Sequence, residues 1–195
     1  TQKWLKSLGK NYTVERLDKL EWLSLYDTKV TNDGLVHLKP LKKLKRLGLS
    51  KTQITDDGLI NLKHFKNLEY LNLNKTRITD AGLKHLKHLK SLVGLYLWST
   101  RITDDGLINL KHFKNLEELN LNKTQITGAG LIHLKHLKRL KKLDLYNNHI
   151  TDSEIAHLQY LNQLEELNLS HVKITGTGLV HLKPLKKMKK LELDY

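Results

Sequence analysis

The sequence predicts an α/β solenoid, a right-handed horseshoe with a parallel β-sheet on its concave side and short helices on its convex side. Three observations predict it. Apolar residues recur with a period of 24 residues, each period holds one short alternating segment typical of a strand, and each also holds a segment with an apolar residue at every third position. One strand and one helix cannot bury their apolar faces alone, whereas stacked copies can.

The repeat runs along almost the whole chain. Seven complete repeats begin at Leu20 and follow one another without insertion, and a partial eighth begins at Met188. When the residues of each repeat are numbered 1 to 24, positions 1, 4, 6, 11, 16, 19 and 22 are Leu, Ile, Val or Phe in every complete repeat. We therefore predict a single domain of repeats over residues 20–195, preceded by an N-terminal cap or degenerate repeat over residues 1–19.

Two local patterns define the elements within a repeat. Leu71 and Leu73 flank Asn72, and this alternation predicts a short strand with one buried face. The apolar residues at positions 16, 19 and 22 predict one face of a short helix, and the Thr at position 12 is a favourable N-cap. Strands lie about 4.8 Å apart whereas helices need roughly 8–10 Å, so the stack must curve with its strands inside.

These segments resemble a known family. Residues 68–78, LEYLNLNKTRI, resemble the leucine-rich repeat, and residues 79–83, TDAGL, resemble the ITDxGLxxL form of that repeat found in many bacterial proteins. The resemblance covers residues 20–195 and implies a binding or scaffolding module, although such families share a fold without sharing a ligand. Two features depart from the pattern. Thr replaces the usual Asn at position 9 in five repeats, and Glu154 stands where the other repeats have Gly.

Composition excludes several classes of function. The chain has 34 Lys and Arg against 20 Asp and Glu, a net charge of +14, and no Cys, which excludes a disulfide scaffold, cysteine-based zinc sites and cysteine nucleophiles. No apolar run is long enough for a transmembrane segment. No phosphate-binding loop or nucleophile elbow is present, so we expect no enzymatic activity, no catalytic residues and no cofactor. His pairs such as His85 and His88 have no carboxylate or thiol partner in these positions, so we expect no metal site.

The absence of cysteine caps also bears on the setting of the protein. It favours a bacterial or intracellular origin. A secreted, a cell-surface and a cytoplasmic location all remain open.

Aromatic residues concentrate on one predicted surface. Positions 3, 5, 7 and 8 face the concave side because side chains alternate along a strand, and these positions hold seven of the ten Trp and Tyr residues, Tyr195 included. Trp and Tyr are common interface anchors, so we predict a non-enzymatic protein-binding surface centred on Tyr70, Tyr96 and Trp98. The alternative is that these residues form ordinary cross-strand pairs. The predicted partner-binding residues are Trp22, Tyr26, Tyr70, Asn72, Asn74, Tyr96, Trp98, Arg101, Asn120, Asn122 and Tyr146.

The predicted helical side is strongly basic. Positions 17 to 24 of the seven repeats carry 16 Lys or Arg and no acidic residue, with Lys in all but one repeat at positions 20 and 23. Such a surface suits a polyanion, which would be a sulfated glycan, a nucleic acid or an acidic surface, and the alternative is a solvated face that keeps the protein soluble. The candidate polyanion-binding residues are Lys39, Lys63, Lys87, Lys90, Lys111, Lys114, Lys135 and Lys138.

The last residues of the sequence read as a strand without a polar cap. An uncovered sheet edge favours pairing with another strand. We therefore expect either further chain beyond Tyr195 or edge-to-edge association through this strand.

Overall fold

The computed structural model describes residues 1–194 and confirms the predicted fold class. Eight parallel strands form one open sheet in chain order, and each strand pairs with the next in sequence. The register places every residue beside the same position of the neighbouring repeat, as in Leu71 beside Leu95. The strands are β1, Trp22–Ser24; β2, Arg46–Gly48; β3, Tyr70–Asn72; β4, Gly94–Tyr96; β5, Glu118–Asn120; β6, Lys142–Asp144; β7, Glu166–Asn168; and β8, Lys190–Glu192.

The convex segments are largely 3₁₀ helices rather than regular α-helices. Apolar positions spaced by three residues fit a helix with three residues per turn, in which side chains at i and i+3 are aligned. The N-terminal helices are α1, Gln2–Ser7, and α2, Val14–Asp18. The convex segments are 3₁₀ Asp33–Leu38; α3, Asp56–Leu59, with 3₁₀ Ile60–His64; α4, Asp80–His85, with 3₁₀ Leu86–His88; α5, Asp104–Leu107, with 3₁₀ Ile108–His112; 3₁₀ Gly128–His136; α6, Asp152–Ile155, with 3₁₀ Ala156–Tyr160; and α7, Gly176–Leu179, with 3₁₀ Val180–Leu182.

The repeating apolar residues form one continuous core between the sheet and the convex segments. All of these residues in the complete repeats are buried except Leu179, which is partly buried against the same core. In the N-terminal segment, Leu5 and Leu17 are buried in this core, and the Trp4 ring contacts that of His37 with their centroids 5.3 Å apart. Each buried leucine contributes roughly 1.5–3 kcal/mol relative to an exposed one, so burial dominates the stability of the stack.

Asp carboxylates at position 13 accept hydrogen bonds that connect four of the convex segments to the next repeat. The Asp56 carboxylate accepts hydrogen bonds from the Thr79 backbone N–H at 2.8 Å and from the Thr79 hydroxyl at 2.6 Å. Asp80, Asp104 and Asp152 bind the Thr of the following repeat in the same way. The predicted N-cap role of this Thr is correct for Thr79 but wrong for Thr55, whose side chain caps no helical N–H. The position-13 carboxylates therefore bridge repeats.

This carboxylate column explains the glycines at position 15. A Cβ atom on Gly82 would meet the Asp56 Oδ1 atom of the preceding repeat, and a Cβ on Gly106 would meet the Asp80 Oδ1 atom. Glycine is therefore required wherever the preceding repeat places a carboxylate against the segment, for reasons of space rather than of backbone conformation.

One repeat junction exchanges the two residue types. Gly128 occupies the position of the bridging Asp, and Glu154 occupies the position of the glycine in the following repeat. The Glu154 Oε2 atom accepts hydrogen bonds from the Thr151 N–H at 3.0 Å and from the Thr151 hydroxyl at 2.9 Å. A carboxylate thus reaches the same two donors from the opposite direction, and the irregular repeat keeps the interaction that the others have.

We expect protonation of the Asp152 carboxylate to lower the stability of the protein at acidic pH. Hydrogen bonds from the Thr175 hydroxyl, the Thr177 hydroxyl and the Thr175 N–H lower the pKa of the Asp152 carboxyl to about 2. A depressed folded-state pKa contributes stability above the unfolded-state value of about 4, and this contribution is lost as the pH falls through about 2. We expect Asp152→Asn to reduce the loss of stability over this window, as measured by urea unfolding midpoints at about pH 5 and about pH 2.

Asn32 provides the precedent for that substitution. Its amide oxygen accepts a hydrogen bond from the Thr55 N–H at 3.0 Å, and its amide nitrogen donates to the Thr55 hydroxyl at 2.7 Å. An asparagine therefore fits the bridging position without a titrating group. Equal losses of stability in the two proteins would show that Asp152 does not contribute to the acid dependence.

The position-9 column acts mostly within single repeats. The Thr52 hydroxyl donates to the Leu49 carbonyl of its own repeat at 2.6 Å, and the other Thr residues of the column do the same. Asn148 alone also bridges repeats, because its side chain accepts from Thr124 and donates to the Leu121 carbonyl. The Thr residues therefore close their own turns.

Strand β8 is the last strand of the sheet. It pairs with β7 on one side, and its Leu191 side chain is 38% exposed. No strand lies on its other side in the described part of the chain. Association through this edge stays a prediction.

Candidate protein-interaction surface

The sheet brings the predicted concave residues into adjacent columns. Arg46 lies beside Tyr70, Tyr70 beside Gly94, and Asn72 beside Tyr96 in the strand register. Trp22 and Tyr26 are 67% and 48% exposed. Tyr70, Tyr96, Trp98 and Tyr146 are partly buried on the same face, and Tyr195 lies outside the described residues.

Arg101 differs from the other predicted residues in its position. It lies beyond strand β4, where it forms an isolated bridge with Thr79 and its backbone N–H donates to the Ile78 carbonyl. Its side chain is exposed and, like that of Trp98, lines neither of the two concave pockets described below. Arg101 therefore contributes to neither pocket.

Cations cover four of the concave aromatic rings. The Arg46 guanidinium carbon lies 4.4 Å from the Tyr70 ring centroid, and the Lys75 Nζ atom lies 4.2 Å from that of Trp98. Lys51 and Lys123 lie over the rings of Tyr26 and Tyr146 at 5.1 and 5.4 Å. Each such contact is worth about 0.5–1 kcal/mol at an exposed site. The cross-strand pairing considered as the alternative is therefore present, and it holds the rings in place.

The lysines reach these rings because of an unusual backbone conformation. Lys51, Lys75 and Lys123 have φ angles of 55°, 54° and 50°, in the left-handed region that non-glycine residues seldom adopt. In that conformation the chain turns sharply after the strand. These lysines occupy position 8, which the sequence predicts to face the concave side, and their contacts with the rings were not predicted, although a Lys next to the aromatic column was the available signal.

Because Gly94 has no side chain, the Tyr70 ring can lie over strand β4. A Cβ atom on Gly94 would lie 2.5 Å from the Tyr70 Cδ1 atom and 3.2 Å from the Tyr96 hydroxyl. The ring of Tyr70 therefore occupies space above strand β4 that any other residue at position 94 would take. The neighbouring repeats have Tyr70 and Glu118 at this position, so the glycine of the fourth repeat leaves space at the centre of the face.

The first half of the concave face forms a groove that we call the aromatic groove. It has a volume of about 560 Å³. Its lining combines the small residues Ser24, Gly48 and Ser50 with the larger residues Trp22, Tyr26, Arg46, Tyr70 and Tyr96. Arg46 and Glu118 are the charged residues of this lining, and Lys51 lies over the ring of the lining residue Tyr26.

The second half forms a smaller pocket of about 200 Å³ that we call the acidic pocket. Its lining contains four carboxylates and two lysines, and the lysines are paired with Glu166 at 2.9 Å and Glu192 at 2.5 Å. Burial raises the pKa of the Asp144 carboxyl, against a hydrogen bond from the Tyr146 N–H. The ionisable lining residues are Glu118, Lys142, Asp144, Glu166, Lys190 and Glu192.

Tyr96 joins the two halves. Its hydroxyl donates a hydrogen bond of 2.5 Å to the Glu118 carboxylate, and it lines both the groove and the pocket. Burial and this hydrogen bond raise the pKa of the Tyr96 hydroxyl far above its ordinary value. Tyr96 therefore stays a neutral donor, and its ring is fixed against the acidic pocket.

The predicted asparagines mainly support the backbone. The side-chain oxygens of Asn72 and Asn120 accept hydrogen bonds from the backbone N–H groups of Asn74 and Asn122, at 2.9 and 3.0 Å. The Asn74 side-chain oxygen accepts a hydrogen bond of 2.8 Å from the Trp98 N–H. These acceptors are occupied in the free protein, so they position the strands and are less available to a partner.

Two buried polar atoms on this face have no hydrogen-bond partner within residues 1–194. They are the Trp98 indole nitrogen, a donor, and the Asn122 side-chain oxygen, an acceptor. Both residues occupy position 7, in consecutive repeats. Leaving such atoms unpaired costs about 1–3 kcal/mol each, and buried polar atoms of this kind are uncommon in folded proteins.

The convex side is basic in the structure as well. All eight candidate lysines there are exposed, and none has a carboxylate within 4.0 Å among the described residues. Loss of solvent, followed by repulsion from nearby lysines, lowers the pKa values of His64, His112 and His136. These three histidines therefore become protonated at a lower pH than a histidine with the ordinary pKa of about 6.5.

Family models match this repeat directly. A model of two leucine-rich repeat copies matches residues 114–160, and a single leucine-rich repeat model matches residues 41–63 and 66–87. These matches fall on the strand-and-helix units of β2, β3, β5 and β6 in the sheet described above. The chain is a leucine-rich repeat protein.

Solved leucine-rich repeat structures share its architecture. An internalin C2 from Listeria monocytogenes superposes with a TM-score of 0.70 at 26% identity, over 97% of this chain and 90% of the internalin. An internalin encoded by inlF of the same organism gives 0.69 at 21% identity, over 95% and 58%. A plant peptide hormone receptor, RGFR1 in complex with RGF2, gives 0.61 at 20% identity, over 91% and 29%. The last two likenesses concern the fold alone.

Three further findings are negative. No curated protein sequence matches this leucine-rich repeat chain significantly. Within residues 1–194, no helix has the length and apolar character needed to cross a bilayer. The residues described here also contain no cluster of three or more His, Asp or Glu side chains arranged to hold a metal ion.

Proposed function

We propose that this leucine-rich repeat protein is a non-enzymatic module that binds a polypeptide partner on its concave face. One observation supports the proposal above the others. The face joins an aromatic groove that contains Arg46 to an acidic pocket, Tyr96 and Glu118 line both, and both recesses are open to solvent. Ordinary cross-strand pairs would fix the aromatic rings, but they would not require Trp22 to be 67% exposed.

The charges indicate the orientation of the partner. Arg46 lines the aromatic groove and Lys51 lies over its Tyr26 ring, whereas Asp144 lines the acidic pocket and Glu118 lies where the two recesses meet. An extended segment with acidic and aromatic residues at one end and basic residues at the other complements both halves. The neighbouring plant receptor is described in complex with a peptide hormone, which is consistent with a peptide ligand for this fold.

A displayed library of linear peptides tests the proposal. Selection against the native protein should enrich peptides with acidic and basic ends, and these peptides should lose binding to a Trp22→Ala, Trp98→Ala double variant. A Lys63→Gln, Lys111→Gln variant of the convex side should bind them normally. Failure to enrich any peptide, or equal binding by the concave variant, would contradict a concave binding site.

The second candidate function is polyanion binding by the convex lysines. The observation in its favour is that these lysines are exposed and lack carboxylate partners within the described residues. Heparin is a convenient sulfated probe, and binding through lysines should weaken steeply as salt rises. Lys87→Glu, Lys111→Glu and Lys135→Glu together should abolish that binding, whereas Trp98→Ala should not affect it.

A further inference from the structure

A row of exposed aliphatic residues runs along the basic convex side. Val36, Ile60, Ile108 and Val180 all occupy position 17 of their repeats and are 50%, 43%, 40% and 48% exposed. They are four of the nine large apolar residues classed as exposed in the described chain. Lys84 and Ala156 interrupt this position in the third and sixth repeats, and Ile132 of the fifth is partly buried. Scattered apolar residues on a surface are ordinary, whereas recurrence at one repeat position aligns four of them along one side.

Helix geometry places this row beside the lysines. Ile60 begins the 3₁₀ helix Ile60–His64, and Ile108 begins the 3₁₀ helix Ile108–His112. In a 3₁₀ helix the side chains at i and i+3 are aligned, which sets Ile60 next to Lys63 and Ile108 next to Lys111. Position 17 is followed three residues later by Lys in the first and seventh repeats too, at Lys39 and Lys183.

We infer that the convex side docks on the surface of an anionic lipid bilayer, with the position-17 aliphatic residues in the headgroup region and the lysines on the lipid charges. This inference rests on the second candidate function and names its ligand. The lipid-facing row is the surface formed by four aliphatic residues and the lysines three positions after them: Val36, Ile60, Ile108 and Val180 with Lys39, Lys63, Lys111 and Lys183.

The aliphatic residues favour lipid over a soluble polyanion. A sulfated glycan or a nucleic acid backbone is recognised by cations through counterion release, which gives the exposed isoleucines no role. An anionic bilayer offers negative headgroups and, a few ångströms deeper, apolar acyl chains, and amphipathic surfaces rich in Lys with apolar neighbours bind there. The absence of any acidic side chain at positions 17 to 24 removes repulsion from the headgroups.

Vesicle sedimentation tests the inference. The probes are vesicles of phosphatidylcholine alone and vesicles containing about 30% phosphatidylserine. We expect binding to the second only, falling as salt rises from about 50 to about 200 mM. Each lysine near an anionic surface is worth about fivefold in partitioning, so Lys63→Gln with Lys111→Gln should weaken binding about 25-fold.

Matched variants separate the position of a charge from its number. Lys29→Gln with Lys173→Gln removes the same charge from two exposed lysines at position 10, away from the lipid-facing row, and should change binding by less than about threefold. Equal weakening by the two double variants would contradict a specific lipid-facing row and leave only the net charge of the protein as the cause.

The aliphatic residues provide the decisive comparison. Ile60→Ser with Ile108→Ser should weaken vesicle binding about tenfold and leave heparin binding unchanged, and an unchanged circular dichroism spectrum shows that the variant is folded. Val14→Ser, in the N-terminal segment at 61% exposure, is the matched control. Binding to heparin without binding to anionic vesicles would overturn the lipid inference and leave polyanion binding intact. Binding to neither would overturn both.

Discussion

The double variant Gly128→Asp, Glu154→Gly should be nearly as stable as the native protein, although each single change should destabilise it. Gly128→Asp alone would bring a second carboxylate against Glu154, whose side-chain atoms already occupy the space of a Cβ at position 128. Steric overlap and like-charge repulsion should cost about 2–3 kcal/mol. Glu154→Gly alone removes the acceptor of two Thr151 hydrogen bonds and should cost about 1–2 kcal/mol.

Together the two changes recreate the arrangement of the other repeats, in which an Asp such as Asp104 faces a glycine such as Gly130. We expect the double variant to lie within about 1 kcal/mol of the native protein, a coupling energy of about 2–4 kcal/mol. Urea unfolding of all four proteins measures this cycle. Additive losses of stability would show that the carboxylate and the glycine do not compete for one space.

The second large effect is expected at Trp98. A peptide selected on the concave face should bind Trp98→Ala at least about 30-fold more weakly, equivalent to about 2 kcal/mol, because central aromatic anchors contribute most of the binding free energy. The loss of the ring also releases the Lys75 side chain, which lies 4.2 Å from its centroid. Titration calorimetry with one selected peptide measures the effect.

Two substitutions sharpen that result. Trp98→Phe keeps a ring for Lys75 but removes the buried indole nitrogen that has no partner among residues 1–194, so it should not lower the melting temperature. Tyr160→Ala removes an aromatic residue of 44% exposure from the convex side and should leave peptide affinity unchanged. A peptide whose affinity responds to Tyr160 and not to Trp98 would place its binding site on the convex side.

Sequence analysis predicted the concave residues more completely than their contacts. Trp22, Tyr70 and Tyr96 lie on the concave face because alternation along a strand fixes the side to which each residue points. Trp98 and Arg101 lie beyond strand β4, where alternation no longer applies, and neither lines the two concave recesses. The exchange of Gly128 and Glu154 was visible as an irregular repeat, but its compensation became clear only from the Thr151 hydrogen bonds.

The sequence alone determined the repeat, the sheet, the core and the placement of the lysines on the outer side. These properties depend on whether a residue is buried and on the direction in which its side chain points. The 24-residue pattern of apolar residues predicts the burial and the direction at each position of every repeat.

The side-chain contacts between repeats could be identified from the tertiary structure and not from the sequence. Examples are the hydrogen bond between Asp56 and Thr79 and the cation–π contacts of Arg46 with Tyr70 and of Lys75 with Trp98. Hydrogen bonds and cation–π contacts depend on distances of a few ångströms and on direction. Those distances are set by how one repeat stacks on the next and by left-handed residues such as Lys75, which periodicity does not encode.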